Sequence, residues 1–230
     1  MLSHHTAERP VKIVLSEVAL LGDLFLPDAP TGLVLFVHGS GSGRHSPRHR
    51  KVSEALTDAG VAALLFDLLT PSESVEDRWR GHLSFDIPFL AARLMGVLDW
   101  AVQSPVTGNL GIGLFGASTG AAAALRTAAE RPLEVQAVVS RGGRPDLAGD
   151  CLSRVIAPTL LIVGEKDVSV IEKNRQAAPH LAGENALHIV PGATHLFPEP
   201  GALEEVGRAA ADWFSRYLQR NRPSSVSSSR

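Results

Sequence analysis

Residues 32–37, 61–66, 110–115 and 159–163 are apolar runs without alternation, and two shorter ones follow at 135–139 and 186–190. An unbroken apolar run of this length bounded by turn residues fits a strand covered on both faces. Residues 11–18 and 19–26 instead alternate and are rich in β-branched or large apolar side chains, which suits two antiparallel strands at a sheet edge. Between the runs, residues 48–59, 87–103, 118–130, 170–181 and 203–218 carry apolar side chains at helical spacing. Strand then helix, repeated along the chain, predicts an α/β fold: a mostly parallel, doubly wound sheet of about eight strands flanked by helices. Residues 145–155 have room for one more short helix, but the flanking strands are too close in sequence for an inserted cap domain, so an open site is expected.

Composition narrows the possibilities. The chain has 230 residues, 44% hydrophobic, and its 22 basic and 24 acidic side chains leave a formal net charge of -2. That balance gives no field suited to nucleic acid or anionic lipid. No apolar stretch approaches the ~18 residues of a membrane helix, and no basic, then apolar, leader opens the chain. The single cysteine, Cys151, excludes an internal disulfide and fits a reducing, cytoplasmic setting. Residues 1–221 are expected to form one domain, and the serine-rich residues 222–230 a disordered tail. No internal repeat is present, and the sequence does not specify an oligomeric state.

The densest chemical signal is Gly116-Ala117-Ser118-Thr119-Gly120, set between a buried strand and an alanine-rich helix. A serine on such a sharp turn is held in strained geometry with its hydroxyl above the sheet, and the first amides of the helix face the same point. By itself the pentapeptide fits a simple tight turn equally well. Serine is a weak nucleophile unless a base takes its proton and a third group holds that base. Asp167 lies just past the run 159–163, and His195 just past the run 186–190. Both therefore fall on the rim where open α/β sheets bind ligands. The order Ser, Asp, His is the chain order of an α/β-hydrolase triad.

With these residues in place, the chain up to its tail resembles the α/β-hydrolase fold, and most closely its dienelactone-hydrolase-related branch. The resemblance rests on Ser118 as nucleophile, Asp167 as acid, His195 as base, and Val37-His38-Gly39-Ser40-Gly41-Ser42-Gly43 as oxyanion loop. It implies an oxyanion hole built from the backbone N–H groups of Ser40 and Thr119. It implies a serine hydrolase that cleaves a carboxylic ester or lactone through an acyl-enzyme, with a small-molecule substrate and neither metal nor organic cofactor. Dienelactone hydrolase itself uses a cysteine where this chain has Ser118. The pattern also resembles hydrolase domains fused to phosphoribosyltransferases, although no such second domain fits in this length.

Other readings stay beside this one. A thioesterase or acyltransferase uses the same apparatus, and a hydrolase-fold binding module with an idle triad is a third class. Glu165, Asp146 and Asp150 compete with Asp167 for the acid role, while Asp67 and His38 read as loop braces. The remaining histidines show no metal-ligand spacing, and Cys151 reads as a small buried residue. Arg141 and Arg144, after the run 135–139, are candidates for binding an anionic group on the substrate, together with Arg44, Arg48 and Arg50 more weakly. The alternative for each is an ordinary surface pairing with an acid such as Asp146.

Overall fold

The computed structural model describes residues 6–220, so the tail at 222–230 lies outside the described residues. Eight strands form one sheet: β1 (Ala7–Val14), β2 (Ala19–Leu26), β3 (Gly32–Val37), β4 (Ala62–Phe66), β5 (Gly111–Ala117), β6 (Val135–Arg141), β7 (Thr159–Gly164) and β8 (Asn185–Val190). Their spatial order is β1-β2-β4-β3-β5-β6-β7-β8. From β4 through β8 every neighbouring pair is parallel. Every residue of β3, β4, β5 and β7 is buried, which is why these runs lack alternation.

The first two strands differ from the sequence expectation in two respects. β1 ends at Val14 because Leu15 to Val18 form the connecting turn, in which the Leu15 N–H donates to the Val18 carbonyl at 2.8 Å. Two back-to-back strands would leave no residues to reverse the chain. Of these two, only β1 is an edge strand, since β2 pairs antiparallel with both β1 and β4. Pro10, which cannot donate to a ladder, is accordingly found in β1.

Helices cover both faces. On one side α3 (Ile87–Gln103) and α4 (Thr119–Glu130) bury Leu90, Leu94, Val97 and Leu125 against Leu35, Leu64 and Leu114. On the other, α1 (Pro47–Asp58) and α6 (Ala202–Tyr217) bury Val52, Leu56, Val206 and Phe214 against Phe36, Phe115 and Val139. α5 (Val168–Ala177) packs Val170 and Ile171 near the β8 edge. α2 (Pro71–Arg80) has no buried residue, so no apolar stripe announces it. Its ends hold it instead: Thr70 and Glu73 form a reciprocal capping box, and Gly81 closes it in the left-handed region. Residues Pro145–Arg154 form 3-10 turns kinked at Gly149, and no larger insertion separates β6 from β7.

Because β3 to β8 run in one direction, their C-terminal ends bring the following loops to one rim. Phe214 anchors α6 beneath that layer. It is fully buried, and a Cβ on Gly113 of β5 would stand 2.6 Å from its Cε1. Truncation should therefore leave a cavity that the sheet cannot close. Phe214→Ala is expected to cost about 3–5 kcal/mol in urea unfolding, and a loss below about 1 kcal/mol would contradict this packing.

Candidate active site

Ser118 is the N-cap of α4, with φ 52° and ψ -122°. Among the described residues only Ser118 and Phe197 combine a side chain with positive φ. The turn is possible because its flanking glycines leave room. A Cβ on Gly116 would meet the Ala121 nitrogen at 2.8 Å, and one on Gly120 would overlap the Val37 carbonyl. Three bonds fix the Ser118 backbone: its N–H donates to the Arg141 carbonyl at 3.3 Å, and its carbonyl accepts from Ala121 and Arg144, both at 3.1 Å. The side chain is left partly exposed at the rim.

The loop after β3 lies against this serine, since a Cβ on Gly39 would be 2.9 Å from Ser118 Cβ. His38 braces that loop. Its Nε2 accepts the Leu68 N–H at 3.0 Å, so Nδ1 carries the proton and donates to the Gly39 carbonyl at 3.0 Å. Burial holds this imidazole below its usual pKa, which suits a neutral brace. Asp67 fastens the next turn by accepting from the Arg44 N–H at 2.9 Å and pairing with the Arg44 guanidinium. The backbone N–H groups of Ser40 and Thr119 have no acceptor among the described residues. Beside the same loop is a cavity of about 260 Å³ lined by His38, Gly39, Leu68, Leu69, Asp77 and Leu90. A larger groove between the β1–β2 turn and α3 shares no residue with these loops.

Asp167 caps α5 directly after β7, and its side chain is mostly buried. Its Oδ2 lies 2.5 Å from Nδ1 of His195, on the loop after β8. With Nδ1–H directed at the carboxylate, Nε2 is the nitrogen left free to take a proton. Gly142, one residue beyond β6, packs on the His195 ring, where its Cβ would be 3.4 Å from Cε1. The end of β6 thus touches both the serine turn and the histidine. Of the competing acids, Glu165 and Asp146 are committed elsewhere. Glu165 accepts the Gly192 N–H at 2.7 Å and Glu199 the Thr194 N–H at 3.1 Å, so both hold the histidine loop from its flanks. Asp146 is taken by Arg144.

Sequence reasoning had no signal for Phe197. This residue closes a turn, its N–H donating to the Thr194 carbonyl at 3.1 Å, and it fills the α1–α6 face with its fully buried ring. The two candidate substrate arginines have different surroundings. Arg144 is a partly exposed partner of Asp146, which raises its pKa. Arg141 is 6% exposed, with its guanidinium 5.5 Å from the Phe197 ring and no acid partner among the described residues. Burial, then repulsion from Arg48, pushes it down to about 10, so it stays charged near neutral pH. Cys151 is buried on the segment after β6, and burial pushes its thiol up. Among the described residues no His, Cys, Asp and Glu side chains gather as a metal ligand set, and no helix is long and apolar enough to cross a membrane.

The profile of the dienelactone hydrolase family matches residues 21–220. The crystal structure of a dienelactone hydrolase from Anabaena variabilis is 54% identical, with a TM-score of 0.92 over 94% of this chain and 100% of that one. Est1E from Butyrivibrio proteoclasticus shares the fold at 17% identity, with a TM-score of 0.75 over 90% of this chain and 98% of its own. A Mycobacterium tuberculosis protein named as a phosphoribosyl transferase is 54% identical over 211 residues, which are 92% of this chain. The chain spans about half the length of the curated relatives it matches, 47% in each case.

One buried imidazole beside the site has a measurable consequence. His49 of α1 packs on Phe36 and Phe115, with ring centroids 5.7 and 6.1 Å away. Burial first, then repulsion from Arg141, His38 and Arg48, holds it well below the ordinary 6.5. The unfolded chain therefore takes up a proton near that pH which the folded chain refuses. Stability from this group is full above about pH 6.5 and falls, by at most about 1.4 kcal/mol per pH unit, as the pH drops below it. Urea unfolding between about pH 7 and pH 5 should show His49→Leu losing less stability than the parent, whereas parallel curves would contradict this.

Proposed function

Because the chain belongs to the dienelactone hydrolase family, we propose that it is a serine hydrolase cleaving a small carboxylic ester or lactone through an acyl-enzyme at Ser118. The observation that carries this reading is the pairing of a strained Ser118 turn with the 2.5 Å contact between His195 Nδ1 and Asp167 Oδ2. Ser118 Oγ attacks the carbonyl carbon while Nε2 of His195 takes its proton. Asp167 holds the imidazole in the tautomer this needs and stabilises the imidazolium that forms. Negative charge on the carbonyl oxygen meets the N–H groups of Ser40 and Thr119 and the positive end of α4. His195 then returns the proton to the leaving oxygen. A water repeats the sequence on the acyl group and releases the acid.

The cavity of about 260 Å³ beside the oxyanion loop supports a small-molecule substrate. The same apparatus transfers the acyl group to another acceptor if water is excluded. Nothing in the arrangement favours that outcome, because the His195 side chain is 42% exposed.

Hydrolysis of short-chain p-nitrophenyl esters tests the roles. Ser118→Ala is expected to remove about 10⁵–10⁶-fold of kcat/KM, and Asp167→Asn about 10⁴-fold, with the fold intact by circular dichroism. Full activity in folded Ser118→Ala would reject the assignment.

A further inference from the structure

Arg141 shares its face of β6 with Ala137 and Val139, facing α1 and α6. Its Nε and Nη1 are buried without a hydrogen-bond partner, and so is Nε of Arg48, the second residue of α1. The acids nearby are already engaged. Asp67 pairs with Arg44, Asp23 with Arg44 and Arg50, Glu8 with Arg50, and Asp146 with Arg144. A buried guanidinium without an anion is strongly unfavourable, and a second one repelling it makes matters worse. The Phe197 ring 5.5 Å away offsets only a fraction of that cost.

The helix end adds to the positive field. α1 is 12 residues long and begins at Pro47, so Arg48 and His49 occupy its first turn, where the dipole favours negative charge; Pro47 has no N–H and the His49 N–H donates to Ser46 Oγ, which leaves the Arg48 N–H for a ligand. We propose that Arg48 and Arg141, at the N-terminal end of α1, form a binding site for one compact oxyanion, a phosphate or a carboxylate group. The planar guanidinium fork matches either by paired N–H donors. The site is built from groups that take no part in the proposed acyl transfer.

Thermal unfolding of the Ser118→Ala protein tests the site without relying on catalysis. Inorganic phosphate and acetate are titrated separately, each against sodium chloride of equal ionic strength. At a hundredfold excess over its dissociation constant, the bound oxyanion is expected to raise Tm by about 5–10 °C. A rise with phosphate, with acetate or with both supports the site and identifies the preferred oxyanion. Arg48→Met, at a half-exposed helix position, is expected to abolish the rise, and Arg141→Met to do the same where it folds. No rise beyond the chloride control, or a rise that Arg48→Met leaves intact, overturns the proposal.

Discussion

The backbone of Ser118 is the constraint around which the rest is arranged. A non-glycine residue at φ 52° costs about 1–3 kcal/mol and persists only where its surroundings over-determine it. Here they do so from three directions. β6 takes the serine N–H, the segment after β6 donates to its carbonyl through Arg144, and α4 donates through Ala121. Gly116 and Gly120 let α4 and the end of β3 come close enough to lock the turn. The strain is therefore held by the centre of the sheet, where every residue of β3 and β5 is buried.

The histidine loop repeats the device at the sheet's far end. Phe197 is the other side chain forced to positive φ among the described residues, two positions after His195. Its ring is buried in the core while His195 remains 42% exposed, so the turn anchors one residue and presents the other. Glu165 and Glu199 take the loop's amides from either side. This leaves Arg141, 5.5 Å from the Phe197 ring, without an acid of its own among the described residues. Charge and geometry are thus concentrated on the same few residues at the end of β6.

Much of this was legible in the sequence. The unbroken runs at β3, β4, β5 and β7 mark strands buried on both faces, and α3 occupies the very residues its spacing predicts, Ile87–Gln103. The pairing of Asp167 with His195 also follows from strand ends in the right order. What stayed hidden has physical causes. α2 buries nothing, so it leaves no periodic signal and can be seen only from the Thr70–Glu73 capping box. β1 was misplaced because alternation alone does not show where a hairpin must turn. Arg141 and Arg144 look alike in sequence, yet their surroundings make one a surface ion pair and the other a buried cation. Phe197 had no signature at all, since positive φ at a phenylalanine comes from tertiary packing and not from local preference.

The central claim, that this strained serine carries the acyl group, is tested most directly by trapping the intermediate. The protein is quenched in acid during the first turnover of a slowly hydrolysed ester, then digested and read by mass spectrometry. The account predicts one acyl group on the peptide containing Ser118, lost at the rate of steady-state turnover. An adduct on Cys151, or none at all while ester is being consumed, would contradict it.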